Sequence, residues 1–342
     1  MAIHWYPGHM HKAQKQIREI LPKVDLLIEV LDARIPFSSE NPMIAELRGD
    51  KPCIKVLSKS DLADPEMTEA WQRHLEQENN VKTLAITTED PAHTKQLLRL
   101  CRNMFPSRDK TFSTINTLIV GIPNVGKSTL INTLAGRPIA KTGNEPAVTK
   151  AQQRINLEDG IVLFDTPGIL WPKVENANSS YRLAASGAIR DTAMEYDDVA
   201  FFIAPYLLKA YPDLLKERFE LKSLPATEVE LLEVLGARRG CLKGGGRVDL
   251  NKASEILIND LRAGMLGRIS LESPDMIIRE LAQLEADKQA KQEADRLRKE
   301  RFKAGKREGT RIKEVDPKNK GKAPKSGKNK PAKPPFPKKP KR

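Results

Sequence analysis

The residues with the most specific chemistry are consecutive: Gly121-Ile122-Pro123-Asn124-Val125-Gly126-Lys127-Ser128. The pattern is G-x-x-x-x-G-K-[ST], a loop that cradles phosphates. Gly121 and Gly126 let the backbone turn its N–H groups toward phosphate oxygens. A helix beginning there adds partial positive charge. Lys127 is placed to reach β- and γ-phosphates, and Ser128 to hold Mg²⁺. Asn124, Val125, Gly126, Lys127, Ser128 and Thr129 are therefore candidate nucleotide-binding residues. The flanks suit the motif, with an apolar strand pattern over 115–120 before it and a helical pattern over 129–134 after it.

A phosphate loop does not choose a base. Asp165-Thr166-Pro167-Gly168 follows a second apolar run, at a distance suited to the second Mg²⁺ element. Asp165 is expected on Mg²⁺ through water, and the Gly168 N–H at the γ-phosphate. Thr149 lies between the two motifs, where a switch threonine can cover both Mg²⁺ and the γ-phosphate. Ser58-Lys59-Ser60-Asp61 resembles the guanine-reading Asn-Lys-x-Asp, with Ser58 in the Asn position. Asp61 would accept from guanine N1–H and N2–H, donors that adenine cannot offer in that geometry. The Lys59 stem would lie along the base. Thr87-Thr88 ends the next strand pattern and completes the candidate guanine pocket. GTP, GDP and Mg²⁺ are the expected ligands.

Strands must position these loops. The runs over 24–32, 53–57, 83–86, 115–120 and 161–164 read as strands alternating with helical stripes, which predicts an α/β fold with a mostly parallel sheet. The 154–157 and 161–164 runs flank Glu158-Asp159-Gly160 as a hairpin. A helix is expected from Asp64-Pro65-Glu66 to about Glu78 and another over 93–104. Beyond Trp171-Pro172 helical patterns take over, at about 181–191, 197–208, 227–235 and 250–261, with a short strand expected at 267–272. Gly244-Gly245-Gly246 has no preceding strand and no following Lys-Ser, so it reads as a turn. The guanine motif and Thr87-Thr88 precede the phosphate loop, the reverse of the usual GTPase order. The chain is expected to be a circularly permuted P-loop GTPase domain, cut after the Asp165–Gly168 switch and followed by an α-helical domain. The expected boundaries are 1–173, 174–283, a charged helix over 284–304, and a disordered basic tail over 305–342.

Net charge is +13, and the tail from Gly305 holds fifteen basic and three acidic residues, twelve of those thirteen charges. Such a tail suits RNA phosphates rather than a packed core. Cys53, Cys101 and Cys241 are too few and too far apart for a disulfide framework. No run reaches the ~18 apolar residues of a membrane span, so a cytoplasmic protein without a membrane partner is expected.

Four stretches together closely resemble bacterial ribosome biogenesis GTPase A, also called YlqF. They are Trp5-Tyr6-Pro7-Gly8-His9-Met10, Asp32-Ala33-Arg34-Ile35-Pro36, the phosphate loop, and Asp165-Thr166-Pro167-Gly168-Ile169-Leu170-Trp171-Pro172-Lys173, in this order. The resemblance extends over about 1–272. It implies late assembly of the large ribosomal subunit, contact with its precursor and 23S rRNA, no DNA partner, and GTP hydrolysis stimulated by the particle. It also points at His9 as the catalytic group. Many GTPases place a water-orienting Gln after the DxxG glycine, and here that position is Ile169. In related GTPases an Asn at the position of Asn124 helps hold K⁺. Two other functions stay open from the residues: a GTPase serving translation or tRNA modification, and an RNA-binding scaffold with little turnover.

Overall fold

The computed structural model describes residues 9–108, 113–140, 153–171, 174 and 176–314, with side chains over 14–300. The described residues up to Leu284 form one compact unit, and those from Glu285 form a second. The chain begins with α1 (His9–Ile20), β1 (Leu26–Asp32), α2 (Pro36–Ser39), α3 (Pro42–Arg48), β2 (Cys53–Ser58) and α4 (Pro65–Leu75). It continues through β3 (Val81–Ala85), α5 (Pro91–Thr94), α6 (Gln96–Asn103), β4 (Ile115–Gly121), α7 (Lys127–Ala135), β5 (Gln153–Asn156) and β6 (Ile161–Asp165).

The strands form one sheet in the order β3-β2-β1-β4-β6-β5. All neighbours are parallel except the β5–β6 hairpin. β1 and β2 are buried along their whole length, as expected of parallel strands covered on both faces. The register decides where the chemistry sits. Asp32 pairs with Ser58, Val30 with Gly121, and Ile119 with Asp165. The ends of four strands thus deliver the guanine motif, the phosphate loop and the switch aspartate to one edge. That carboxyl edge is where open α/β sheets bind ligands.

Local signals place the helix starts. Asp64 caps α4 by accepting from Glu66 N and Met67 N. Pro36, Pro42, Pro65 and Pro91 stand in the first turns of α2, α3, α4 and α5, where a missing N–H costs nothing. The helix expected over 93–104 is divided into α5 and α6.

The second half of the compact unit is helical: α8 (Ala177–Ala185), α9 (Tyr196–Ala210), α10 (Pro212–Phe219), α11 (Glu228–Arg238) and α12 (Leu250–Arg262). α9 buries Val199, Ala200, Ile203, Ala204 and Leu207, one stripe at helical spacing, and packs against the other four helices. α8 starts before the expected residue 181 and ends well before 191, because Ser186-Gly187 turns the chain, with Gly187 at φ +83°.

Two expectations need correction. The segment 267–272 is no strand. It is an extended strap whose hydrogen bonds go to loops after β1 and β2: Ile269 N donates to Leu62 O (2.9 Å) and Leu271 N to Arg34 O (2.8 Å). Residues 269–272 are all buried, but their partners are loops rather than a sheet edge. The last helix, α13 (Pro274–Glu314), runs ten residues into the tail expected to be disordered from 305. Extending an existing helix requires no new nucleus.

Trp71 on α4 is 1% exposed and lies in a cluster with Leu31, Ala33, Leu57, Ala63, Leu75 and Ile277. Its Nε1 donates to Glu272 O at the end of the strap (3.1 Å). Trp71→Ala is expected to lower the unfolding free energy by about 3–5 kcal/mol. Trp71→Phe keeps most of the ring but strands the Glu272 carbonyl, and should cost about 1–3 kcal/mol. Urea denaturation of the two variants checks the difference. Equal losses would mean the hydrogen bond, not the packing, carries the site.

Candidate nucleotide site

The phosphate loop leaves β4 at Gly121, where the backbone passes against β1. A Cβ there would stand 2.5 Å from Val30 O, so a side chain is excluded by backbone rather than by a movable neighbour. Asn124 takes φ +57°, unusual for a residue with a side chain. Its Nδ2 donates to Gly187 O (3.0 Å). α7 opens at Lys127, and Ser128 and Thr129 stand half-buried in its first turn.

Lys127 is 7% exposed and folds back on the loop, donating to Gly121 O (3.0 Å) and Ile122 O (2.9 Å). Burial lowers its pKa to about 8 against the opposing pull of Asp165. It stays mostly protonated at neutral pH, held by neutral carbonyls that phosphate oxygens would replace.

Asp165 closes β6 and is 1% exposed. Neither carboxylate oxygen takes a well-formed hydrogen bond from the described residues. Burial pushes its pKa up to about 6, opposed by Lys127 and the nearby Thr166 N–H. A buried carboxylate so poorly served is unusual, and hard cations take oxygen donors of this kind. The donor set therefore fits Mg²⁺, with Ser128 across the same edge.

The switch lies directly on the phosphate loop. Ile169 N donates to Gly121 O (3.2 Å). A Cβ at Gly168 would meet Lys127 Nζ at 2.9 Å and Pro123 backbone at 3.0 Å, so glycine is required for the approach. Ile169 is 2% exposed, and its carbonyl accepts from Asn41 Nδ2 (3.4 Å).

The guanine-type loop is joined to the phosphate loop by Ser58. Its hydroxyl lies 2.6 Å from Val125 O and 2.8 Å from Leu31 O. One proton serves both carbonyls, so this short side chain links the two loops without an amide. Ser60 N donates to Ile86 O (3.1 Å), tying the loop to the turn that carries Thr87 and Thr88. Asp61 is half-buried, close enough to Arg34 and Lys59 for its charge to favour the protonated form of each. Thr149 lies outside the described residues. His9 opens α1, with its side chain likewise outside the description.

Two residues without an assigned role in the sequence stand at the centre of the site. Asp32, 2% exposed, accepts from Arg34 N (3.1 Å), Nε (2.9 Å) and Nη2 (2.8 Å), and from Lys59 Nζ (2.9 Å). Burial alone would raise the Asp32 pKa, but Arg34 and Lys59 outweigh it and hold the carboxyl well below the usual range. The Lys59 pKa is lowered by burial, against Asp32. The available signal was an Asp-x-Arg whose Asp closes a fully buried strand.

Residues 116–224 match the family described as "50S ribosome-binding GTPase". Ribosome biogenesis GTPase A of Bacillus cereus is 44% identical over 282 residues, covering 80% of this chain and 95% of the relative. The chain belongs to the ribosome biogenesis GTPase A family. The Thermotoga maritima member is 32% identical over 273 residues, covering 80% of this chain and 95% of its own. The structure of GNP-bound YlqF from T. maritima aligns with TM-score 0.55 and 28% identity, over 78% of this chain and 99% of that one. A GDP-bound YlqF structure aligns at 0.56 and 27%, over 76% and 99%. As a family member the protein binds guanine nucleotide and hydrolyses GTP.

The raised Asp165 pKa has a stability consequence. An acid with a higher pKa folded than unfolded weakens the fold when ionised. That penalty is full above about pH 6 and vanishes as pH falls below the unfolded value near 4. Asp165→Asn should therefore raise the melting temperature of the nucleotide-free protein at pH 7.5, and the gain should shrink toward pH 4. Thermal melts across that range check it; a gain independent of pH would exclude an ionised Asp165.

Proposed function

We propose that the protein binds the precursor of the large ribosomal subunit through 23S rRNA, assists its late assembly, and hydrolyses GTP faster on the particle than alone. The relatives carry the name ribosome biogenesis GTPase A, and the matched family is described as ribosome-binding. The observation that carries stimulated hydrolysis is Ile169. A buried aliphatic side chain occupies the place where many GTPases orient water. Catalysis then needs a group brought in from elsewhere.

In this reading Lys127 leaves the Gly121 and Ile122 carbonyls for the β- and γ-phosphates. Backbone N–H groups of Asn124, Val125, Gly126 and Thr129 complete the cradle, and the Gly168 N–H meets the γ-phosphate. Ser128, Thr149 and Asp165 would hold Mg²⁺, which when bound would offset the charge of the phosphates. Asp61 accepts from guanine, Lys59 lies along the base, and Ser58, Ser60, Thr87 and Thr88 shape the pocket. Asn124, in the phosphate loop at φ +57°, is the residue that would contribute to a K⁺ site. His9 orients the attacking water on the particle. The basic tail contributes phosphate contacts that position without reading sequence.

Co-sedimentation with large-subunit particles in GTP, GDP and a nonhydrolysable analogue tests the reading. Binding that ignores the nucleotide would defeat an assembly switch. His9→Ala should keep GTP and particle binding and lose about 10²–10⁴-fold in particle-stimulated hydrolysis; a parental rate on the particle would remove His9. A K⁺ role predicts faster hydrolysis in KCl than in NaCl at equal ionic strength, and equal rates would discard it.

A further inference from the structure

The base-reading loop after β2, residues 59–64, is held by the strap that connects α12 to α13. Arg268 Nη2 donates to Ser60 O (3.1 Å) and Nε to Ala63 O (2.9 Å). Ile269 N donates to Leu62 O (2.9 Å). Three of the four carbonyls over 60–63 are thus taken by the strap, and the fourth belongs to Asp61. At the end of the loop Asp64 N donates to Ser270 Oγ (3.2 Å). The Tyr211 hydroxyl lies within reach of both Asp64 Oδ2 (3.2 Å) and Ser270 O (3.1 Å).

The strap itself is anchored. Ile269, Ser270 and Glu272 are fully buried. The Glu272 carboxylate accepts from Ser38 N (3.0 Å) and Ser38 Oγ (2.6 Å), and Leu271 N donates to Arg34 O. The loop's own bonds are few, chiefly Leu62 N to Lys59 O and Ser60 N to Ile86 O. Lys59 sits at φ +57°, a conformation that persists where surroundings enforce it. A guanidinium is a rigid fork. Its two donors grip the carbonyls of Ser60 and Ala63, before and after Asp61 in the loop.

We infer that the 267–272 strap is a clamp on the base-reading loop, and that Arg268 is a positioning residue for guanine selectivity. This rests on Asp61 being the guanine acceptor. Accepting N1–H and N2–H together demands a fixed carboxylate, so loosening the loop costs the two-bond contact first. Base selectivity is then supplied partly by the helical half of the chain, two hundred residues beyond the loop. Motion that strained the strap would release guanine nucleotide.

GDP and IDP separate this role from a merely structural one, because inosine lacks the 2-amino group. Arg268 is exposed, so Arg268→Ala leaves no core cavity. Titration calorimetry on the full chain should show GDP affinity falling about tenfold, IDP affinity nearly unchanged, and the melting temperature kept. Arg268→Lys, with one donor in reach, should fall between. Asp61→Asn is the parallel control and should lose the GDP-over-IDP preference. If Arg268→Ala keeps the parental ratio, or weakens GDP and IDP equally, while Asp61→Asn loses the preference, the clamp is overturned and the guanine reading stands. If Asp61→Asn also keeps the preference, the guanine reading falls and the clamp with it.

Discussion

The carboxylate of Asp32, sealed at the end of β1, is the charge around which the site is built. It faces two cations, Arg34 from the turn that follows and Lys59 from the end of the neighbouring strand. Removing one partner of a buried pair costs about 3–5 kcal/mol, because the remaining charge has no solvent to turn to. Arg34 has little alternative: its Nη1 is buried without a partner among the described residues, and its Nη2 reaches Ser186 O (3.3 Å). Through Lys59 the same carboxylate holds a strained backbone position inside the base-reading loop. The turn after β1 and the loop after β2 therefore behave as one piece.

Permutation gives this piece its consequence. In space the sheet has an ordinary phosphate-loop strand flanked by the switch strand and β1. In the chain, the switch leads directly toward α8 instead of returning to the sheet. The turn ending α8 then receives both halves of the site: Ser186 O accepts from Arg34, and Gly187 O from Asn124 in the phosphate loop. A change in either loop meets adjacent peptide groups at the entrance to the helical half. Asn41 extends the link, joining the carbonyl of Ile169 to the buried Glu29, whose Oε1 accepts from Asn41 N (3.2 Å). One hydrogen bond separates the phosphate loop from the turn that ends α8.

The motifs legible in the sequence are those whose constraints are local. A backbone that must turn around phosphate needs glycine at Gly121, and a lysine at the first position of the helix stays beside the loop that precedes it. The apolar runs of β1, β2 and β4 announce buried parallel strands, and Asp64-Pro65-Glu66 announces a helix start, because capping is satisfied within three residues. Even the permuted order is a statement about sequence alone.

What tertiary structure decided are the groups whose partners lie far along the chain. Asp32 and Arg34 were visible as residues but not as the centre of a charge network, since Lys59 meets them only through the β1–β2 register. Ser58 was visible as a departure from Asn, but the reach of its hydroxyl to Val125 O across the site was not. The run at 267–272 read as a short strand. It could not tell a sheet edge from two loop carbonyl rows, because both present the same acceptors to an extended backbone. Pattern records which side chains leave water; only the packed chain decides which backbone groups they leave it beside.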